Sequence, residues 1–150
     1  MKFDSVEQIL AFAIKTEQAA ADFYTDLAGK VEYEQIKEAF LEFAAEEMGH
    51  KKKLQAVAQG KVLLNSEKRV VDLKIGDYLI EVEAKPDMGF QEALIVAIQN
   101  ESNAYTLYKN LAVATDDAGL KDLFLGLAQE EAKHKLRFEV EYEDFVYQRN

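Results

Sequence analysis

The stretch AAEEMGHKKKL, residues 44–54, contains one of only two histidines in the chain. In a helix, Glu47 and His50 lie three positions apart, and side chains at that spacing are neighbours on the helix surface. A carboxylate and an imidazole placed in this way can bind the same metal ion. One match to so short a pattern is weak evidence, because a glutamate three residues before a histidine is common in a glutamate-rich helix and is usually solvated.

The same pattern occurs a second time, 84 residues downstream, as LAQEEAKHKL. An ungapped displacement by 84 residues matches Glu47 with Glu131 and His50 with His134. Chance would give both histidines such a partner at roughly the 1% level. The register is supported along two predicted helical hairpins by identities that include Ala13 with Ala97, Ile14 with Ile98, Glu17 with Glu101, Tyr24 with Tyr108, Phe40 with Phe124 and Leu41 with Leu125.

Two further glutamates lie within apolar helical stripes. Glu17 interrupts the stripe of the first predicted helix, and Glu101 takes the equivalent position in the third. Glu–His pairs occupy the stripes of the second and fourth helices. Six polar groups are therefore expected to converge halfway along one bundle: Glu17, Glu47, His50, Glu101, Glu131 and His134.

Four ionised carboxylates at core positions need compensation, because burying one without a partner costs several kcal/mol. Two divalent cations would balance the four negative charges, and the two histidines can bind as neutral imidazoles. Glu17 and Glu101, which come from the other two helices, can then bridge or chelate the ions. A site that has lost its metal should show substitutions among the six residues, and all six are present.

Apolar residues recur at spacings of three and four, which predicts four long helices. Asp4 or Ser5 is expected to cap the first helix, and Gly29 and Gly60 are expected to end the first two. The predicted helices run from about Ser5 to Ala28, from about Glu32 to Gln59, from just after Pro86-Asp87 to about Ala114, and from Asp116 nearly to the C-terminus.

The 27 residues between the second and third predicted helices, 61–87, are too apolar for a free linker and too long for a tight turn. They are expected to form a packed crossover. A short helix is predicted within it, near Asp72 to Ile80.

Composition narrows the possible functions. At 150 residues and 49% hydrophobic content, one domain covering 1–150 is expected. The absence of cysteine excludes disulfides, thiolate metal sites and cysteine nucleophiles from this chain. No export signal or membrane-spanning run is evident, so a cytoplasmic protein without a membrane partner is expected. The net charge of −10 argues against a nucleic-acid partner.

The six residues resemble the motif of the ferritin-like di-iron carboxylate proteins, and within them the rubrerythrin-like group. In that fold two helices each supply one glutamate, and the other two each supply Glu-x-x-His. The resemblance covers nearly the whole chain. It implies an all-α, ferritin-like four-helix bundle of up-down-down-up topology, built here from two repeated helical hairpins joined by a long crossover.

The resemblance also implies a chemistry. Two iron ions are the expected cofactor, with manganese or zinc possible in purified protein. The implied reaction is oxidation of a diferrous centre by hydrogen peroxide or dioxygen. Rubrerythrins carry a rubredoxin domain with a four-cysteine iron site, which this cysteine-free chain lacks, so an external electron donor is expected. Rubrerythrins also place an additional glutamate one turn after the third-helix ligand; Ala104 and its repeat equivalent Ala20 stand here instead, which predicts a symmetric site.

Other polar residues are expected near the site. Tyr24 and Tyr108 lie two turns after a core glutamate and could bond a ligand carboxylate, or could simply fill the core. Glu46 and Glu130 lie four residues before the histidines and could accept the imidazole N–H, although they could equally be exposed charges. Met48 could ligate haem, as in the Glu-Met-x-His of bacterioferritins, or could pack at a helix contact.

Three functional classes remain open from the sequence. A di-iron oxidoreductase that consumes peroxide or dioxygen is the prediction. A ferroxidase-linked iron-storage protein is the alternative and would require a hollow shell, whereas the resemblance suggests a homodimer; size-exclusion chromatography separates the two. A structural or regulatory bundle without redox activity is the third class; it would fail to bind about two irons per chain or would show no spectral change with peroxide.

Overall fold

The protein, described here by a computed structural model, has four long α-helices among residues 6–32, 34–61 and 89–149, which are the residues that the structure describes. These ranges contain no β-strand. The predicted short helix at Asp72–Ile80 and the capping residues Asp4 and Ser5 lie outside them. The elements are α1 (Val6–Lys30), α2 (Glu34–Ala56), a π-helical turn (Val57–Lys61), α3 (Phe90–Ala114) and α4 (Ala118–Arg149).

Two predicted helix ends were wrong, both at glycines. Helix α1 continues through Gly29 to Lys30, because a single glycine costs a helix only about 1 kcal/mol and Lys30 forms a 3.0 Å ion pair with Asp26 in the last turn. Helix α2 starts at Glu34, two residues later than predicted, and changes at Val57 into the π-helical turn, which runs through Gly60. Glycine permits a helix to end but does not force it to do so.

The turn from α3 to α4 is fixed by side-chain caps. The Asp117 carboxylate accepts a hydrogen bond from the Leu120 N–H at 2.9 Å, and the Thr115 hydroxyl accepts one from the Asp117 N–H at 3.2 Å. An aspartate that bonds the third helical N–H is a strong N-cap. Helix α4 therefore begins at Ala118, two residues later than predicted.

Contacts across the bundle give its topology. Helices α1 and α2 pack as one hairpin, and α3 and α4 pack as a second. Tyr24, late in α1, contacts Glu101 in the middle of α3, while Phe40, early in α2, contacts both Phe138 late in α4 and Phe90 at the start of α3. Helices α1 and α3 are therefore antiparallel and α2 and α3 parallel. This is the predicted up-down-down-up bundle. The predicted packed crossover between α2 and α3 lies almost wholly outside the described residues.

The apolar core divides into two clusters, one on each side of the six polar residues along the bundle. The first is mainly aliphatic and includes Leu10, Leu54, Leu107, Leu111, Leu120 and Phe124. The second is rich in aromatic rings, with Tyr24, Phe40 and Phe138 fully buried and Phe43 and Met48 packed against it. No helix in the described ranges is long and apolar enough to span a bilayer.

Candidate metal centre

All six residues of the predicted site lie together between the two apolar clusters. None exposes more than 5% of its surface. Glu17 and Glu101 come from the middle of α1 and α3, whereas the two Glu–His pairs come from α2 and α4. The spacing of three residues keeps each pair on one helix face, as the stripes predicted.

The distances around the two histidines repeat. The Nδ1 atom of His50 lies 2.9 Å from Glu131 Oε1, 3.6 Å from Glu17 Oε2 and 3.9 Å from Glu47 Oε2. The Nδ1 atom of His134 lies 2.9 Å from Glu47, 3.6 Å from Glu101 and 3.9 Å from Glu131. The imidazole rings are nearly parallel, with centroids 6.3 Å apart. The 84-residue sequence repeat therefore produces a local two-fold arrangement.

The six side chains form two overlapping groups of possible metal ligands. Glu17 and His50 belong to one group and Glu101 and His134 to the other, while Glu47 and Glu131 belong to both. Within each group, one donor atom per residue lies within 4.8 Å of all the others. The shared positions therefore belong to the Glu-x-x-His glutamates, whereas Glu17 and Glu101 each belong to one group only.

Several buried donor atoms face the centre without a hydrogen bond. Within the described part of the chain, these are Glu17 Oε2, Glu47 Oε1, Glu101 Oε2, Glu131 Oε2 and His134 Nδ1. His134 Nδ1 and Glu47 Oε1 are only 2.9 Å apart but are not aligned for a hydrogen bond. Unpaired buried oxygen and nitrogen atoms that face one another are costly unless a cation lies between them, so the donor set fits divalent metal ions.

The pKa shifts of the cluster also indicate that it needs positive charge. Burial raises the pKa of Glu47 well above its usual range, and the contact with Glu17 raises it further. Burial, followed by the negative charge of Glu101, likewise raises the pKa of Glu131. Burial alone would lower the pKa of His134, but the carboxylates of Glu101 and Glu47 raise it to about 11. Without metal, protons supply the positive charge that the cluster needs.

Protonation makes the stability of the metal-free protein depend on pH. Folding raises the pKa values of Glu47 and Glu131. The stability that these groups contribute is therefore fully present below about pH 4.5 and is lost as the pH rises through their pKa values in the folded protein. His134 contributes fully below 6.5 and loses that contribution towards about 11. Glu17 has the opposite pH dependence. Burial would raise its pKa, but hydrogen bonds with Glu47 and His50 lower it, so the stability that Glu17 contributes is lost only as the pH falls below 4.5.

The melting temperature of the metal-free protein is therefore expected to fall between pH 6 and pH 9. Differential scanning calorimetry in the presence of a chelator measures this. The same scans with a divalent metal should show the reverse trend, because metal binding displaces the protons and strengthens as the pH rises. A metal-free melting temperature that rises across this range would contradict the assignment of the protons to the cluster.

Two buried tyrosines link the hairpins at the site. The Tyr24 hydroxyl donates a hydrogen bond to Glu101 Oε1, and the Tyr108 hydroxyl donates one to Glu17 Oε1. Each tyrosine thus bonds the glutamate of the other repeat. Burial, together with the charge of the bonded glutamate, raises the pKa of both phenols, which keeps them protonated as donors. Each glutamate then has its second oxygen free to face the centre.

Removing either hydroxyl is expected to affect one half of the centre. Tyr24→Phe removes a donor from Glu101, and Tyr108→Phe removes one from Glu17. Each change is expected to lower the free energy of unfolding by about 1.5–3 kcal/mol, the usual contribution of a hydrogen bond to a charged group, as measured by urea denaturation. Tyr105→Phe, at an exposed tyrosine of α3, is the matched control and should have little effect. Equal stabilities for all three variants would contradict this role.

The outer hydrogen-bond partner of His134 comes from the other hairpin. His134 Nε2 bonds Glu46 of α2, which belongs to the other hairpin, and not Glu130 of its own helix. Glu130 pairs with Lys133 at 3.7 Å. The outer glutamates were predicted from their spacing to the histidines, but the pairing of Glu46 with His134 across hairpins follows from the antiparallel packing of α2 and α4.

Comparison with known proteins assigns the family. The family model for rubrerythrin matches residues 8–86 and 92–150. The chain belongs to the rubrerythrin family. No curated protein matches the chain.

Two solved structures resemble this rubrerythrin-family protein over almost its whole length. One is a Thermotoga maritima protein described as a candidate ferritin-like diiron-carboxylate protein; it is 19% identical, with a TM-score of 0.73, and the match covers 95% of this chain and 97% of that one. The other is a hypothetical protein of Pyrococcus furiosus, 25% identical with a TM-score of 0.74, over 95% of this chain and 90% of that one. These similarities confirm the ferritin-like fold.

Proposed function

We propose that this rubrerythrin-family protein is a non-haem di-iron oxidoreductase that reduces hydrogen peroxide or dioxygen with electrons from an external donor. The observation that carries the proposal is the pair of ligand groups that share Glu47 and Glu131. Shared carboxylates are what a pair of ions needs to stay close together, as two-metal sites do at roughly 3.5–4 Å. The family match and the buried, unpaired donor atoms support metal binding independently.

The proposed ligand set is suited to iron or manganese. Four carboxylates and two imidazoles favour these metals over copper, and zinc can also occupy such a set. When bound, two ferrous ions would supply two electrons to an oxidant. Glu47 and Glu131 would hold both ions, whereas Glu17 with His50 and Glu101 with His134 would each hold one.

The remaining side chains orient the ligands and exclude water. Tyr24 and Tyr108 fix the two chelating glutamates from across the bundle. The two apolar clusters close the bundle on both sides of the ligands, so the access of water to the ligands is limited. Ala104 is buried one turn after Glu101, so the proposed mechanism involves no ligand exchange with an additional glutamate at that position.

Anaerobic reconstitution with ferrous iron tests the proposal. About two irons per chain are expected. Addition of one equivalent of hydrogen peroxide should then oxidise both irons, with new near-ultraviolet absorption, and a parallel addition of dioxygen compares the two oxidants. Failure to bind iron, or binding without any spectral change on oxidation, would overturn the enzymatic proposal.

We also propose a separate electron-donor protein as the redox partner and a homodimer as the assembly. The 150 residues contain no cysteine that could hold an iron–sulfur or rubredoxin site. Size-exclusion chromatography coupled to light scattering tests the assembly. A dimer supports the oxidoreductase proposal, whereas a large shell that accumulates iron cores would favour iron storage instead.

A further inference from the structure

The two halves of the centre are related by the repeat, yet their outer contacts are unequal. His134 Nε2 is bonded to Glu46, and the Phe43 ring packs on the His134 ring with centroids 4.6 Å apart. The repeat equivalents of Glu46 and Phe43 are Glu130 and Leu127. Glu130 pairs with Lys133, and leucine has no ring to pack on His50. His134 is therefore held by two contacts that the repeat does not duplicate for His50.

The two outer glutamates both have an oxygen within 4.8 Å of a His134 nitrogen, but one sequence difference distinguishes their other neighbours. Lys133 lies three residues after Glu130 and pairs with it. The repeat equivalent of Lys133 is Gly49, which has no side chain to compete for Glu46. A Cβ at Gly49 would meet nothing within 4 Å, so the glycine is not required by close packing. Glu46 is thus left to bond His134.

The inner nitrogens of the two histidines have matching surroundings. His50 Nδ1 lies 2.9 Å from Glu131 Oε1, and His134 Nδ1 lies 2.9 Å from Glu47 Oε1. The outer contacts are therefore what distinguishes the two histidines.

We propose that the half of the centre formed by Glu101 and His134 takes up the first metal ion, because Glu46 fixes the His134 ring with Nδ1 directed at the ligand carboxylates. The inference rests on the proposed di-metal function and adds an order of loading to it. Glu46 is a positioning residue that acts through His134. An outer partner of a metal-bound histidine typically contributes 10–100-fold to metal affinity.

Cobalt(II) titration of four variants tests the role of Glu46. The wild-type protein should bind two cobalt ions in two steps that differ at least about tenfold in affinity. Glu46→Ala should weaken the first step by about 10–100-fold, while the matched control Glu42→Ala, at an exposed position one turn earlier in α2, should change neither step by more than about twofold. Gly49→Lys should weaken the first step in the same direction by drawing Glu46 away from His134, while Gly49→Ala should not. Because both Gly49 substitutions favour the helix, lost stability cannot explain the difference between them.

Nitrogen-15 NMR during zinc(II) titration tests the order directly, because the chain has only two histidines. The first equivalent of zinc should shift His134 Nδ1, and the second should shift His50 Nδ1, with His50→Gln used for assignment. Two bound ions with His50 responding first, or with both histidines responding together, would overturn the inference and leave the proposed function intact. The absence of any zinc or cobalt binding would overturn both.

Discussion

Glu47→Gln is expected to disrupt both metal positions at once. The glutamine keeps the shape of the side chain but removes one of the two carboxylates that both ligand groups share. Binding should fall from two ferrous ions per chain to at most one, and affinity for the remaining ion should fall by at least about 100-fold, the upper end of the effect of losing an outer partner. Anaerobic iron binding under chelator competition measures both quantities.

Glu17→Gln is the matched comparison for the shared position. Glu17 belongs to only one ligand group, together with His50. The variant should therefore keep one tightly bound ion in the group of Glu101 and His134. Equal losses in the Glu17 and Glu47 variants would contradict the assignment of Glu47 as a shared ligand, and full binding of two ions by Glu47→Gln would contradict its role as a ligand at all.

Removing the charge of the shared carboxylates is expected to stabilise the protein without metal while abolishing its stabilisation by metal. Glu47 and Glu131 are buried, and burial raises the pKa of both carboxyl groups. The double variant Glu47→Gln, Glu131→Gln should be more stable than the metal-free wild type at pH 8, because glutamine is neutral at every pH, whereas each unit by which folding raises a glutamate pKa costs up to about 1.4 kcal/mol above that pKa. The new amides can donate hydrogen bonds to Glu17 and Glu101.

Metal reverses the order of these stabilities. Each ion present at a thousand times its dissociation constant should stabilise the wild type by about 4 kcal/mol, and the double variant should gain almost nothing. Urea denaturation with and without ferrous iron, under anaerobic conditions, gives both comparisons. Glu42→Gln, at an exposed position of α2, controls for the loss of negative charge and should change stability by less than about 0.5 kcal/mol. A double variant that is less stable than the metal-free wild type would contradict the claim that Glu47 and Glu131 lower the free energy of unfolding without metal.

The fold and the burial of six polar residues in one cluster were predictable because the sequence repeats. A single glutamate in an apolar stripe, such as Glu17, can be either buried or exposed. Its match with Glu101 at the same position of a second apolar stripe favours a buried role for both. The stripes then placed all six polar residues inside the bundle, where each is at least 95% buried. The parallel arrangement of α2 and α3 followed from the family resemblance and from the length of the segment between them.

The connections between the repeats could not be predicted from spacing along one helix. A spacing of three residues predicts that Glu47 and His50 share a helix face. It does not predict that Glu47 Oε1 lies 2.9 Å from Nδ1 of His134 in the other hairpin. The bonds of Tyr24 to Glu101 and of Glu46 to His134 likewise depend on how the hairpins pack. The repeat also suggested a symmetric site, whereas Gly49 and Lys133 make its outer contacts unequal.

Crystallography of the anaerobically iron-loaded protein, with anomalous scattering at the iron edge, tests the central claim most directly. Two iron peaks are expected inside the bundle, roughly 3.5–4 Å apart, with Glu47 and Glu131 bound to both. One iron should also bind Glu17 and His50, and the other Glu101 and His134. A single peak, or iron bound only outside these six side chains, would contradict the assignment of a di-iron centre to this protein.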